Sequence, residues 1–166
     1  MEDRNGTLWV GTNLGGAARF AGGRFTLLSP AEGLPHHDVR AFLEDRGRNV
    51  WIATIGGGLT RVAPNGSLRY SPSPTGFRRG ASSRSPRERR RDLARLVRGR
   101  RDAAGRGRGQ VFTTENGLSS NRVIALRAEP DGTVWAGTSG GGLNRIRGGK
   151  GRAGLTRDGL FDDLVR

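Results

Sequence analysis

Three groups of side chains in this sequence have types and spacings that chemistry can use. Gly137-Thr138-Ser139-Gly140-Gly141 matches G-x-S-x-G, the pattern that presents a nucleophilic serine on a sharp strand-to-helix turn. His36-His37-Asp38 places two imidazoles beside a carboxylate, a grouping from which a metal site can be built. Asp3, Asp45 and Glu129 are carboxylates of the kind that act as general acid or base. A fourth feature is electrostatic. Between Arg78 and Arg108 stand thirteen Arg against Glu88, Asp92 and Asp102, so one segment holds ten of the net +14 charges. Such a segment can neutralise phosphates and bind nucleic acid without regard to sequence.

Each of these groups must be held by an element, and the elements are revealed by a repeat. Trp9 and Trp51 are 42 residues apart, and Trp51 and Trp135 are 84 apart, twice that distance. The match extends around each indole. Two and three residues on lie Gly11-Thr12, Ala53-Thr54 and Gly137-Thr138; then come the pairs ending in Gly16, Gly58 and Gly142; and ten residues past each Trp stands Arg19, Arg61 or Arg145. Gly33-Leu34, Gly117-Leu118 and Gly159-Leu160 keep the same period. The repeat signature is therefore Trp9, Trp51, Trp135, Gly16, Gly58, Gly142, Arg19, Arg61 and Arg145.

One unit reads as four short strands. In the second unit they are 38–45, Asn49–Thr54, Leu59–Val62 and Leu68–Tyr70, separated by Gly and Asn clusters as hairpins require. Four strands in a unit of this length is the spacing of one β-propeller blade. The fold class expected is all-β: a β-propeller fragment of about four such blade repeats, of which the third is scrambled and expected to be disordered or marginally helical. The low aromatic content (6%), the 29 glycines and the absence of cysteine agree with a turn-rich β chain without disulfides. No run approaches the roughly 18 apolar residues of a membrane span, and MEDRNGTLWV has no signal-peptide pattern. The expected organisation is blade 1 (partial) and blade 2 over 1–77, an Arg-rich aberrant segment over 78–110, and the end of blade 3, blade 4 and the start of the next over 111–166. The terminal Phe161–Arg166 is also a candidate for the strand that the first blade lacks. We favour a fragment of a larger ring.

The repeat disposes of most of the chemistry. Ser139 aligns with Asn13 and Ile55, so its position is freely variable, and no strand-to-helix turn is expected there. His36-His37 corresponds to Ser119-Ser120, adjacent histidines point opposite ways on an extended chain, and a third ligand is missing, so an inter-blade loop is expected. The carboxylates recur six residues before every Trp, which points to a turn or strand-end hydrogen bond. The Trp itself is expected between neighbouring blades, where burying about 200 Å² at about 25 cal/mol per Å² gives an upper bound of about 5 kcal/mol.

The Arg-rich segment breaks the pattern. Leu93 stands where the third Trp is due, yet the register resumes undisturbed at Val111-Phe112. Preserved length with lost identity suggests a reading-frame slip that is later reversed, since a Leu codon CTG read one base late before a G gives TGG, tryptophan. Ser85-Pro86-Arg87-Glu88 also reads as a capping box that opens a short helix over roughly 86–97. Nucleic-acid binding is disfavoured, because no aromatic lies between Phe77 and Phe112 to stack on bases.

The units EGLPHHDVRAFLEDRGRNVWIATIGGGLTRV and ENGLSSNRVIALRAEPDGTVWAGTSGGGLNRI resemble the two-component regulator propeller repeat. That resemblance implies a fragment of a periplasmic, ligand-sensing, non-catalytic propeller from a bacterial receptor whose output is a hybrid histidine kinase or a diguanylate cyclase. It implies a small-molecule or oligosaccharide ligand, the rest of the parent receptor as partner, and no cofactor or metal. The alternatives are a protein-interaction scaffold and, behind it, a propeller enzyme such as a polysaccharide lyase.

Overall fold

The computed structural model describes residues 1–65 and 109–154. The chain divides into one unit spanning Met1–Tyr70 and Gly107–Arg166 and a second spanning Ser71–Arg106, and the second lies outside the described residues. The same holds for three expectations from the sequence: the strand at Leu68–Tyr70, the helix over roughly 86–97, and a strand from Phe161–Arg166.

Three antiparallel sheets stand in sequence order. The first is β1 (Leu8–Gly11), β2 (Ala17–Ala21) and β3 (Arg24–Leu28). A 3-10 turn, Pro30–Glu32, leads out of it. Its start is a capping box between Ser29 and Glu32, and Gly33 closes it in the left-handed conformation at φ 102°. The second sheet is β4 (Val39–Glu44), β5 (Val50–Thr54), β6 (Gly58–Val62) and β7 (Gln110–Phe112). The third is β8 (Val123–Ala128), β9 (Val134–Thr138), β10 (Gly142–Arg147) and β11 (Lys150–Gly154). Alternation decides which face meets which neighbour. Val50, Ile52 and Val62 turn toward the first sheet and join Trp9, Ala17, Leu28 and Leu34. Trp51, Ala53, Leu59 and Phe112 turn toward the third and join Val134, Ala136 and Ile146. The strands β4 and β8 carry a register shift at the same phase, between Val39 and Ala41 and between Val123 and Ala125. Such a bulge bends the leading strands of the second and third sheets in the same way.

The fourth strand of the second sheet differs from the expectation. Val111 and Phe112, expected to end a third blade, and Gln110, expected in the Arg-rich segment, pair with β6 through Leu59↔Phe112, Thr60↔Val111 and Arg61↔Gln110. The second and third sheets then pack directly on each other, with β4 alongside β8. The physical reason is the repeat. Phe112 stands at the phase of Leu28, and both side chains bury against the next sheet. Any segment at that phase presents the same alternation to the β6 edge.

Candidate functional site

The repeat residues build the same arrangement ahead of the Trp-bearing strand in the first and second sheets. In the first, Asp3 Oδ1 accepts the amides of Asn5 (2.9 Å) and Thr7 (3.0 Å), and Asp3 Oδ2 accepts the Trp9 indole N–H at 2.8 Å. In the second, Asp45 Oδ1 accepts the Asn49 amide at 2.9 Å and Asp45 Oδ2 accepts the Trp51 indole N–H at 2.8 Å. The carboxylate thus ties the turn to the indole, and its oxygens are occupied by donors of its own unit. Burial works against ionisation of Asp3, yet the bonds from the Trp9 indole and the Thr7 and Asn5 groups outweigh it and hold the carboxyl below the ordinary Asp range. A general base needs a free oxygen and a proton affinity near the working pH, and Asp3 has neither.

The third unit is built differently. Glu129 pairs with Arg127 at 3.3 Å, and Asp131 takes over the turn by accepting the Thr133 amide at 3.0 Å. That amide holds the Asp131 carboxyl below its usual range, with Arg147 at 3.4 Å adding to the effect. Trp135 is half-buried, while Trp9 and Trp51 are buried.

Arg61 and Arg145 lie over their tryptophans, 5.9 Å from the Trp51 ring and 6.0 Å from the Trp135 ring. Cross-strand pairing sets this up, with Trp51 opposite Arg61 and Trp135 opposite Arg145. Arg19 stands opposite Trp9 in the same way. Gly16, Gly58 and Gly142 adopt left-handed φ of 81°, 77° and 71°. A Cβ on Gly58 would collide with the Phe112 carbonyl oxygen, and one on Gly16 would come within 2.5 Å of the Leu28 carbonyl oxygen.

Two features at these hairpins went unread in the sequence. Thr12, Thr54 and Thr138 each donate a hydroxyl to the carbonyl of the glycine four residues on, at 3.0, 2.9 and 2.8 Å. The recurrent Thr was the signal. The glycine amides then reach out of the sheet: Gly16 N–H donates to His37 O at 2.9 Å, and Gly58 N–H donates to Asn121 O at 2.9 Å.

The remaining chemical groups are placed as follows. His36 Nδ1 accepts the Asp38 amide at 3.1 Å, and the ring lies against Gly56, where a Cβ would meet it at 3.2 Å. The His36 and His37 rings are 6.4 Å apart, and among the described residues no three His, Cys, Asp or Glu side chains group to hold a metal. Ser139 lies on the turn between β9 and β10, and its amide donates to Arg122 O at 2.9 Å. The turn joins two strands, so the nucleophile elbow has no helix to sit on.

Successive antiparallel sheets, joined by one recurring hairpin geometry, make this a fragment of a β-propeller. Residues 33–56 and 117–140 match the family described as two component regulator propeller, so two copies of that repeat lie in the chain. Among solved structures, the extracellular domain of the hybrid two component system BT3049 from B. thetaiotaomicron is similar with a TM-score of 0.61 and 20% identity, over 99% of this chain. The chain spans 17% of that structure's length. The extracellular domain of the system BT4673 from the same organism is similar over 88% of this chain and 23% of its own length, with 18% identity and a TM-score of 0.36. No curated protein matches the sequence. Among the described residues no helix is long and apolar enough to cross a membrane.

Proposed function

We propose that the chain is part of the ligand-sensing, non-catalytic propeller of a bacterial two-component or diguanylate cyclase receptor, working in the periplasm. The observation that carries this reading is the match of two separate segments, one period-multiple apart, to the two-component regulator propeller. The likeness to an extracellular receptor domain supports it at the level of fold. The occupied carboxylates and the hairpin setting of Ser139 favour binding over catalysis. A ligand that prefers one arrangement of the sheets would shift a two-state equilibrium and pass it to the output module of the parent receptor. Thermal-shift screening of the chain against a panel of mono- and oligosaccharides tests the reading. A ligand is expected to raise Tm and to compete with its close analogues. A panel without effect, together with a stoichiometric protein partner on co-purification, overturns it in favour of a scaffold. One observation favours that second reading: the first sheet exposes Leu8, Val10, Leu14, Phe25 and Leu27 on its surface.

A further inference from the structure

Arg48 is the only non-glycine residue with positive φ (59°) among the described residues. Its phase in the other two intact units is filled by Gly6 (φ 75°) and Gly132 (φ 82°). The turns superpose in their bonding. Arg48 N–H donates to Asp45 O at 3.1 Å, Gly6 N–H to Asp3 O at 3.0 Å, and Gly132 N–H to Glu129 O at 3.2 Å. The second unit therefore keeps an arginine in a conformation that the turn elsewhere gives to glycine. Left-handed backbone disfavours a residue with a Cβ by about 1–2 kcal/mol, and such strain concentrates where a side chain has a task.

The side chain shows the task. Arg48 reaches from the second sheet to the first, donating Nη1–H to Asn5 Oδ1 at 2.8 Å. There it lines a cleft of about 380 Å³ between the two sheets, together with Arg19, Arg24, Thr7, Thr26 and Trp9. Three arginines line one small space. The carboxylate in the same cleft, Asp3, already takes the indole of Trp9 and two amides on its own oxygens. The volume suits a ligand of one or two rings. Arginine forks are matched to planar or tetrahedral oxyanions through paired N–H donors, and the hydroxyls of Thr7 and Thr26 can serve a polyhydroxylated body.

We infer that the cleft between the first and second sheets binds an oxyanion-bearing ligand, with Arg48, Arg24 and Arg19 as its anion-binding residues. The carboxylate of a uronic acid and a sulfate group share this chemistry. The inference names a ligand class for the sensing role and rests on that reading for its biological purpose. Binding at the cleft and signalling by the parent receptor fail separately: a whole receptor that ignores an anion bound here overturns the role and leaves the site.

The test is titration of the 15N-labelled full chain with sodium sulfate and, separately, with D-glucuronate at constant ionic strength, reading the Trp9 indole N–H, which Trp9→Phe assigns. The expected result is a saturable shift of that signal with one of the two anions, and the tighter of them tells sulfate from carboxylate. Arg48→Gly should weaken binding at least ten-fold while Tm holds or rises, since glycine relieves the backbone. Arg46→Ala, an exposed arginine two residues away, should leave the affinity unchanged. No shift of the Trp9 indole with either anion overturns the inference, and so does equal weakening by Arg46→Ala and Arg48→Gly. If Arg48→Gly fails to fold, the exposed Arg24→Ala decides in its place: several-fold weaker binding supports the site, and unchanged binding overturns it.

Discussion

The first and second sheets have the same sequence pattern and opposite fates on one face. Leu8 and Val10 of β1 stand at the phase of Val50 and Ile52 of β5. The former are 42% and 39% exposed, while the latter are 4% and 0%. Phe25 and Leu27 are 69% and 56% exposed on the same strand whose Leu28 is buried. The side chains are alike; what differs is whether a neighbouring sheet stands against them. A blade of this kind does not bury its own apolar residues. It borrows the burial from the sheets on either side, and its stability is a nearest-neighbour property.

Substitution at matched phases can break this comparison. Val50→Asp should cost on the order of 4–5 kcal/mol, or abolish folding, because it sets an unpaired charge in the contact between two sheets. Leu8→Asp at the same phase should stay within about 0.5 kcal/mol. Urea denaturation of both variants reads the difference, and equal costs would refute the nearest-neighbour account. A smaller contrast separates the second sheet from the third. Asp45→Ala leaves the buried Trp51 indole N–H without its acceptor and should cost about 1–3 kcal/mol. Glu129→Ala, which removes only an exposed ion pair with Arg127, should be within about 0.5 kcal/mol by the same measurement.

The smallest expected effect sharpens the assignment of β7. Deleting residues 67–108 removes one period and joins Gly66 to Gly109 at the phase of Arg24-Phe25, so that Pro64-Asn65 stand where Gly22-Gly23 turn between β2 and β3. If Gln110–Phe112 is the outer strand of the second sheet, the shortened chain should keep its far-UV circular dichroism and shift Tm by less than about 4 °C. Loss of the β signal would show that the second sheet draws that strand from elsewhere.

Much of this was open to a reader of the sequence. The strands β5 and β6 are legible because Trp51, Ala53, Leu59 and Val62 fall on two alternating faces, and Gly56-Gly57-Gly58 marks the turn between them. The partner of β6 was not legible, for a reason internal to repeats. Residues 66–70 and 108–112 share one phase, and period alone cannot say which of two equivalent segments fills an edge. The indole–carboxylate bond was half legible: recurrence pointed to a structural role for Asp3 and Asp45, but the donor needed coordinates. Arg48 was hidden more deeply. Its place in the alignment beside Gly6 and Gly132 was visible, yet only a backbone angle turns that mismatch into strain, and only the packing of two sheets brings Arg19, Arg24 and Arg48 around one space.

The hairpin amides that leave their own sheet carry a mechanical consequence. The Gly16 N–H is tied to the His37 carbonyl, and the Gly58 N–H to the Asn121 carbonyl, each at the doorway of the following sheet. The hydroxyls of Thr12 and Thr54 stiffen those same hairpins from within. A tilt imposed on one sheet therefore tugs on the loop that feeds the next, through short rigid links in place of pliable side chains. Sheets coupled in this way lean like books on a shelf, and a push at one spine is felt down the row.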